Sequence, residues 1–160
     1  MARRLLPVGL DFAETAPLRL VFAREVSASP EAVYRALAED VAGWPQWFSA
    51  VTSARPLDDG ARREVRLKGG TRFVETVVAA EPGEVYAYRV DETNAPGMRA
   101  LLEEWRIVPG ASGGARVQWT FAADGVAAFR VGLRVGRAGF GRAFRDAVRS
   151  LDRRLASAPA

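Results

Sequence analysis

The stretch from Val51 to Ala122 constrains the fold more than any other part of the chain. It holds six short segments in which apolar and polar residues alternate, as at Val117 and Trp119, with only a few turn residues between them. Two glycines, Gly69-Gly70, form one such connection and are typical of a β-hairpin. Connections this short join antiparallel neighbours, so the sequence predicts a meander and excludes a doubly wound parallel sheet.

The predicted strands of this meander are 51–56, 62–68, 71–80, 85–91, 98–108 and 116–122. An earlier segment, 18–26, alternates in the same way and predicts a seventh strand. A helix is predicted to follow it, because Ser29 can cap a helix and Pro30 suits its first position. A second, short helical turn is expected to begin at 40–43, just before a cluster of large aromatic residues.

The last segment, 125–160, is predicted to form a long amphipathic helix that covers the sheet. At about 100° per residue, its apolar side chains fall on one side and its arginines on another. The apolar side comprises Phe129, Leu133, Phe140, Phe144, Ala147, Val148, Leu151 and Leu155. Four glycines between 132 and 141 each cost a helix about 0.5–1 kcal/mol relative to alanine. We therefore predict a bend or break between Leu133 and Gly141, and a ligand entrance there.

Composition excludes several classes of chemistry. The chain has 160 residues, enough for a single domain with a real core, and it contains no cysteine and no histidine. The absence of these two residue types excludes disulfides, thiolate nucleophiles, zinc sites of the usual kind and Ser-His-Asp triads. We expect no metal and no cofactor. No apolar run reaches the roughly 20 residues of a membrane span, and no signal peptide is evident, so we expect a cytoplasmic protein.

Positive charge is concentrated at the C-terminal end. The net charge is +4, and residues 125–160 alone carry eight arginines against two aspartates. This arginine stripe has two interpretations: the solvated face of a covering helix, or a surface that meets phosphates of nucleic acid or of an anionic membrane. We favour the solvated face, because no stacking motif or recognition helix accompanies the stripe. Monomer and homodimer both remain open.

Three features occur in an order that is informative together. The first is the strand that ends at Val26 and leads into the helix capped by Ser29. The second is the aromatic segment Trp44–Phe48 (WPQWF), about a dozen residues later. The third is a final strand pair, containing Trp105–Ile107 and Gly114–Thr120, ahead of the terminal helix. The ordered set resembles the START-like, helix-grip (SRPBCC) superfamily, and within it the polyketide cyclase/dehydrase and lipid-transport group.

The resemblance covers residues 18–156 and implies an α+β, helix-grip domain. A curved antiparallel sheet of about seven strands would wrap around the C-terminal helix, with a cavity for a hydrophobic or aromatic small molecule, lipid or polyketide-like. Some members cyclise polyketides, and the resemblance implies that a tyrosine and an arginine serve this reaction in them. The matching positions in this chain, near Val51 and near Ala79 or Ala80, hold neither residue type. Ligand binding is thus the leading function. A cyclase or dehydratase reaction and a basic surface module are the alternatives.

Candidate site residues are those that share a strand face with apolar residues and those in the aromatic clusters. The aromatic candidates for the cavity wall are Trp44, Trp47, Phe48, Tyr86, Tyr88, Trp105, Trp119, Phe140 and Phe144. Glu75 and Glu103 lie among inward apolar positions, where burial would raise the pKa of a carboxyl group, and with Tyr88 they are the catalytic candidates. Arg24 could pair with either glutamate or hold an acidic ligand group. Ordinary core packing, a shifted register or a structural ion pair would explain the same residues.

Overall fold

A computed structural model describes residues 1–158 of the chain. Its strands are β1 (Arg3–Arg4), β2 (Leu18–Val26), β3 (Val51–Leu57), β4 (Arg62–Leu67), β5 (Arg72–Glu81), β6 (Val85–Thr93), β7 (Met98–Pro109) and β8 (Ala115–Gly125). Strands β3 to β8 each pair antiparallel with the next strand, and β2 pairs with β8, in the order β2-β8-β7-β6-β5-β4-β3. The predicted seven-stranded antiparallel meander is confirmed.

The N-terminal segment adds a short strand that the sequence did not reveal. Residues 1–16 show no sustained periodicity, which is typical of an arm or loop, but Arg3 and Arg4 of β1 pair with the end of β6. The backbone amide of Leu5 continues this contact by donating to the carbonyl of Asp91 at 2.8 Å. Two residues are too few to show an alternating pattern, so only the structure reveals this strand.

The helices are α1 (Phe12–Thr15), α2 (Pro30–Tyr34), α3 (Ala127–Val135) and α4 (Arg137–Ala156). Helix α2 begins as predicted, because the Ser29 hydroxyl accepts a hydrogen bond from the Ala32 amide at 3.2 Å. A π-helical turn at Arg35–Glu39 and a 3₁₀ turn at Val41–Gln46 then lead to β3. None of the helices in the described part of the chain combines the length and the apolar character that a bilayer span requires.

The C-terminal helix is interrupted at Gly136, which separates α3 from α4. The predicted break between Leu133 and Gly141 is therefore confirmed. Phe144, Val148 and Leu151 of α4 are buried against the sheet, and the Phe144 ring lies 6.0 Å from that of Trp119. This arrangement of a long helix on an antiparallel sheet is the helix-grip fold, as expected.

Most of the arginine stripe faces away from the sheet. Its exposed members are Arg134, Arg137, Arg142, Arg145, Arg149 and Arg153. Arg130 is half-buried and lies 3.7 Å from the carboxylate of Asp124. Charge on the outer face of a covering helix needs no partner other than water, and this placement fits the solvated-face interpretation.

Asp152 fastens α4 to the connection between β2 and α2. Its carboxylate accepts hydrogen bonds from the amide and hydroxyl of Ser27 and from the amide of Ala28, at 2.8–3.1 Å. Each donor would otherwise need water, and a carboxylate acceptor makes such bonds comparatively strong. Asp152 thus links the end of the helix to the edge strand of the sheet.

We predict that Asp152→Ala lowers the free energy of unfolding by about 1–2 kcal/mol, because several charge-assisted hydrogen bonds are lost together. Urea denaturation followed by tryptophan fluorescence measures the change. Asp146→Ala is the matched control, since Asp146 is exposed on the same helix and forms no hydrogen bond or ion pair with any described residue. Equal stability losses in the two variants would contradict the assignment.

Candidate functional site

A cavity of about 270 Å³ lies between the sheet and the two C-terminal helices. Its walls are mostly aromatic and aliphatic, and its aromatic residues are Trp44, Phe48, Phe73, Tyr88, Trp119, Phe121, Phe129 and Phe140. Residues from both α3 and α4 line it, so the break at Gly136 lies in the wall that the helices provide. Predominantly apolar walls with a few polar groups are typical of small-molecule sites.

Four polar or charged residues of the cavity wall are buried, and we call the part of the cavity that they line its closed end. Arg63, Glu75, Tyr88 and Glu103 line it, and none of them is more than 8% exposed. The lining residues that are partly exposed mark the rim instead, and they are Ala50, Leu67, Thr71, Phe129, Phe140 and Ala143. A ligand entering from the rim would therefore meet apolar walls first and the polar cluster last.

Strand pairing explains why these four residues meet. Arg63 of β4 lies directly opposite Glu75 of β5, and Tyr88 of β6 lies directly opposite Glu103 of β7. Directly paired residues on adjacent antiparallel strands place their side chains in contact on one face. The register of β5 against β6 also shifts between Val74 and Glu75, an irregularity of the kind that re-aims a side chain.

The Arg63 guanidinium is held by one carboxylate and two aromatic rings. Its Nε donates a short hydrogen bond to Oε2 of Glu75, and its Cζ lies 3.7 Å from the ring centre of Tyr88 and 4.3 Å from that of Trp44. Cations bind favourably over aromatic faces at these distances. Its Nη1 is buried and has no hydrogen-bond partner among the described residues. The aromatic faces and Glu75 together hold this charge inside the protein.

A chain of hydrogen bonds ends at Glu103. The indole of Trp105 donates to the Tyr88 hydroxyl at 3.1 Å, and that hydroxyl donates to Oε2 of Glu103 at 2.8 Å. The indole of Trp119 donates to the same oxygen at 3.0 Å. An indole can only donate, so the direction of the two indole bonds is fixed. With the Tyr88 hydroxyl donating as well, Oε2 accepts two hydrogen bonds. Oε1 of Glu103 receives neither bond.

Burial shifts the protonation of these groups. Burial, helped by the nearby Glu103 and opposed by Arg63, raises the pKa of Glu75 to about 7. Burial also raises the pKa of Glu103, against its hydrogen bond from Tyr88, and it raises the pKa of Tyr88 well above the ordinary value. Burial lowers the pKa of Arg63, but the stronger combined effect of Glu75 and its neighbours raises it overall, so Arg63 remains charged.

The structure brings most of the predicted site residues to the cavity. Those that line it are Trp44, Phe48, Glu75, Tyr88, Glu103, Trp119 and Phe140. Glu75 and Glu103 are both buried and line the cavity.

Four predicted aromatic residues lie behind the wall rather than in it: Trp47, Tyr86, Trp105 and Phe144 are buried, but none of them lines the cavity. Trp105 still serves the site, since it orients the Tyr88 hydroxyl. Arg24 is half-buried on β2 and lies outside the cavity lining. Among residues 1–158 no ion pair joins it to Glu75 or Glu103, and the arginine that pairs with Glu75 is Arg63.

Arg63 is the charged cavity residue that the sequence patterns did not predict. The segment from Arg62 to Glu64 contains three consecutive charged residues and resembles an exposed strand start. The alternation of side chains along the strand could have revealed its inward direction, because Arg63 shares a strand face with Val65 and Leu67, two apolar cavity residues. An arginine on an apolar strand face predicts a buried counter-charge, and Glu75 on the next strand provides it.

Comparison with known protein families shows which family this chain belongs to. Residues 17–156 match the family described as polyketide cyclase/dehydrase and lipid transport. The chain belongs to this family. It is also 32% identical to uncharacterised proteins of Mycobacterium tuberculosis and Mycobacterium bovis over 151 residues, which are 91% of this chain and 89% of theirs.

Solved structures show the same fold. A START superfamily protein of Mycobacterium smegmatis superposes with a TM-score of 0.69 at 14% identity, covering 86% of this chain and 97% of that protein. The protein XoxI of Bacillus cereus gives 0.70 at 18% identity, covering 87% and 96%. Protein TTHA0849 of Thermus thermophilus gives 0.67 at 22% identity, covering 89% and 100%. These likenesses establish the START-like fold that the resemblance implied.

We predict that Arg63→Met lowers the free energy of unfolding by about 3–5 kcal/mol at pH 8, because it leaves the Glu75 carboxylate buried without its cation. Combining it with Glu75→Leu should recover most of this loss, since no buried charge then remains unpaired. Arg66→Met on the same strand is the control and should cost at most about 1 kcal/mol, because Arg66 is exposed. A double variant as unstable as Arg63→Met would contradict the pairing.

We predict that stability falls as pH rises from about 5 to about 8. The ordinary pKa of a glutamate is 4.5, and that of folded Glu75 is about 7, so the folded protein binds the proton more tightly. The stabilisation this gives is complete below 4.5 and is lost through pH 7, a change of roughly 3 kcal/mol.

Urea denaturation at several pH values measures this slope. The chain contains no histidine, so few other groups titrate in this range. The variant Glu75→Gln/Glu103→Gln should show a flat profile between pH 5 and pH 8. A profile as steep as that of the wild type would show that other groups titrate.

Proposed function

We propose that this protein binds a compact hydrophobic or aromatic small molecule in the cavity between the sheet and the C-terminal helices. The observation that carries the proposal is the buried polar cluster of Arg63, Glu75, Tyr88 and Glu103 at the closed end of an otherwise apolar cavity. Buried charge is costly and adds little to stability by itself, so a polar cluster that faces empty space favours a binding role. Family membership supports the same function.

The size of the cavity limits the ligand. An apolar cavity of about 150 Å³ accommodates benzene, so about 270 Å³ suits a molecule of roughly two fused rings. A long acyl chain or a four-ring polyketide would require the helices to move. Phe129 of α3 and Phe140 of α4 line the cavity on either side of Gly136, and we propose that this break opens to admit the ligand.

Each part of the site would have a separate role. The rings of Trp119, Phe121 and Phe140 lie within 5.2–6.5 Å of one another and offer flat surfaces for the apolar body. Tyr88 and Glu103 would orient the polar group of the ligand. Arg63 and Glu75 would set the charge at the closed end. Trp44 and Phe48 complete the wall on the side of the 3₁₀ turn.

A cyclase or dehydratase-type reaction is the second candidate, favoured by two buried carboxyl groups with raised pKa values in the same cavity. A carboxyl group with a pKa near 7 can donate or accept a proton at neutral pH. Such a reaction would need Glu75 or Glu103 at the ligand. If turnover of a polyketide substrate survives both Glu75→Gln and Glu103→Gln, acid–base catalysis by these groups is wrong.

The expected compartment stays the cytoplasm, and the expected partner is a small molecule rather than nucleic acid or a membrane surface. The surface alternative predicts binding that weakens steeply with salt. Charge reversal at Arg134, Arg137 and Arg145 would abolish that binding, whereas small-molecule binding in the cavity would be unchanged.

The proposal is tested with naphthylethanol, a neutral two-ring probe. We expect a one-to-one complex by native mass spectrometry and a change in tryptophan fluorescence, because Trp44 and Trp119 line the cavity. Ala143→Phe should weaken binding at least tenfold, since Ala143 lines the rim and a larger side chain would fill the space.

Ala138→Phe is the matched control, because Ala138 is exposed on the same helix and does not line the cavity. It should bind as the wild type does. Absence of binding by the wild type, or equal binding by both variants, would overturn the proposal.

A further inference from the structure

We propose that the ligand carries a protonated amine and that Oε1 of Glu103 is the atom that binds it. The inference rests on the proposed function and adds the chemical class of the polar group. It follows from the charges at the closed end of the cavity, from the direction of the hydrogen bonds, and from the aromatic surroundings.

Charge is unbalanced at the closed end. The charged or titratable residues that line the cavity are Arg63 from β4, Glu75 from β5, Tyr88 from β6 and Glu103 from β7, and the lining residues of β8, α3 and α4 carry no charge. Tyr88 stays neutral, so one cation faces two carboxyl groups. The cluster is electrically neutral only when the two carboxyl groups share one proton or when a second cation joins them.

Arg63 is already engaged by the protein. Its Nε is bonded to Glu75, its guanidinium lies between the rings of Tyr88 and Trp44, and its Nη1, which has no partner among residues 1–158, is buried. A carboxylate ligand would add a second negative charge to a cavity that already has one carboxyl group in excess. Low-dielectric surroundings make that repulsion strong. Fatty acids and other carboxylates are therefore poor ligands for this cavity.

Glu103 presents an acceptor to the ligand. Both hydrogen bonds to this residue, from Tyr88 and Trp119, end on Oε2. With the Tyr88 hydroxyl as donor, a proton on Glu103 sits on Oε1, because Oε2 already accepts two bonds. When the proton leaves, Oε1 is a carboxylate oxygen without a protein donor among the described residues.

Aromatic rings lie next to the Glu103 side chain in the cavity wall. Trp119 touches Glu103 through its indole nitrogen, and its ring lies 5.9 Å from Phe121 and 6.5 Å from Phe140. A carboxylate at the end of an aromatic-lined cavity is a combination that suits an organic ammonium ion, which gains both the charge pair and cation–π contacts.

Binding exchanges one cation for another. In the empty cavity the carboxyl pair holds a proton, and an ammonium ion replaces it: the Glu103 carboxyl group releases H⁺ to solvent as its carboxylate pairs with R–NH₃⁺. Affinity for the amine should rise about tenfold between pH 6 and pH 8, as the shared proton becomes easier to remove.

Three probes of equal ring size separate the outcomes: naphthylethylamine, naphthylethanol and naphthylacetate. Calorimetry at pH 7.5 should give at least tenfold tighter binding for the amine than for the alcohol, and weaker binding still for the carboxylate. Comparing two buffers of different ionisation enthalpy should show proton release with the amine and none with the alcohol.

Glu103→Gln should weaken amine binding at least tenfold and change alcohol binding less than threefold, because the amide keeps an acceptor for Tyr88 and Trp119 but loses the charge. Glu104→Gln is the matched control, since Glu104 is the next residue of β7 and does not line the cavity. Circular dichroism confirms that each variant is folded.

The binding results distinguish a failure of the amine inference from a failure of the proposed function. If the alcohol binds as tightly as the amine, or if the carboxylate binds best, the amine inference is wrong while the proposed function stands. If none of the three probes binds, both are wrong. If Glu103→Gln leaves the amine preference intact, Glu103 is not the residue that binds it.

Discussion

The ion pair between Arg63 and Glu75 is the interaction on which the closed end of the cavity depends. Two charged side chains at most 2% exposed can remain inside a protein only when each satisfies the other, and the aromatic rings of Trp44 and Tyr88 complete the enclosure of the guanidinium. Strand register makes the pair, because the two residues lie directly opposite each other on β4 and β5. The same constraint places Tyr88 beside Glu103, so two adjacent cross-strand pairs build the polar end.

The apolar part of the cavity follows from the way the helices meet the sheet. Phe144, Val148 and Leu151 fill the space under most of α4, whereas α3 and the first residues of α4, on either side of Gly136, line the unfilled cavity. The glycines of this segment weaken the helix around its break, and none of them lines the cavity. The space is bounded instead by side chains of both helices, among them Phe129 and Phe140.

Much of the fold could be predicted, because short connections and alternating residues allow few arrangements. Strand order, the cap at Ser29 and the break in the C-terminal helix all follow from local patterns. The site was harder, since it depends on which residues face each other across strands. The alternation of inward and outward residues along the strands identified Glu75 and Glu103. Arg63 stands among three consecutive charged residues, so Arg24 was the arginine expected to pair with a buried glutamate. Only the register of β4 against β5 reveals that Arg63 is the partner.

A crystal structure of the protein with naphthylethylamine tests most directly whether the cavity holds a compact ligand whose polar group reaches Glu103. We expect density for the rings among Trp119, Phe121 and Phe140, with the amine nitrogen about 2.7–2.9 Å from Oε1 of Glu103. Density for the probe outside the cavity, or an interior closed by side chains, would contradict this expectation.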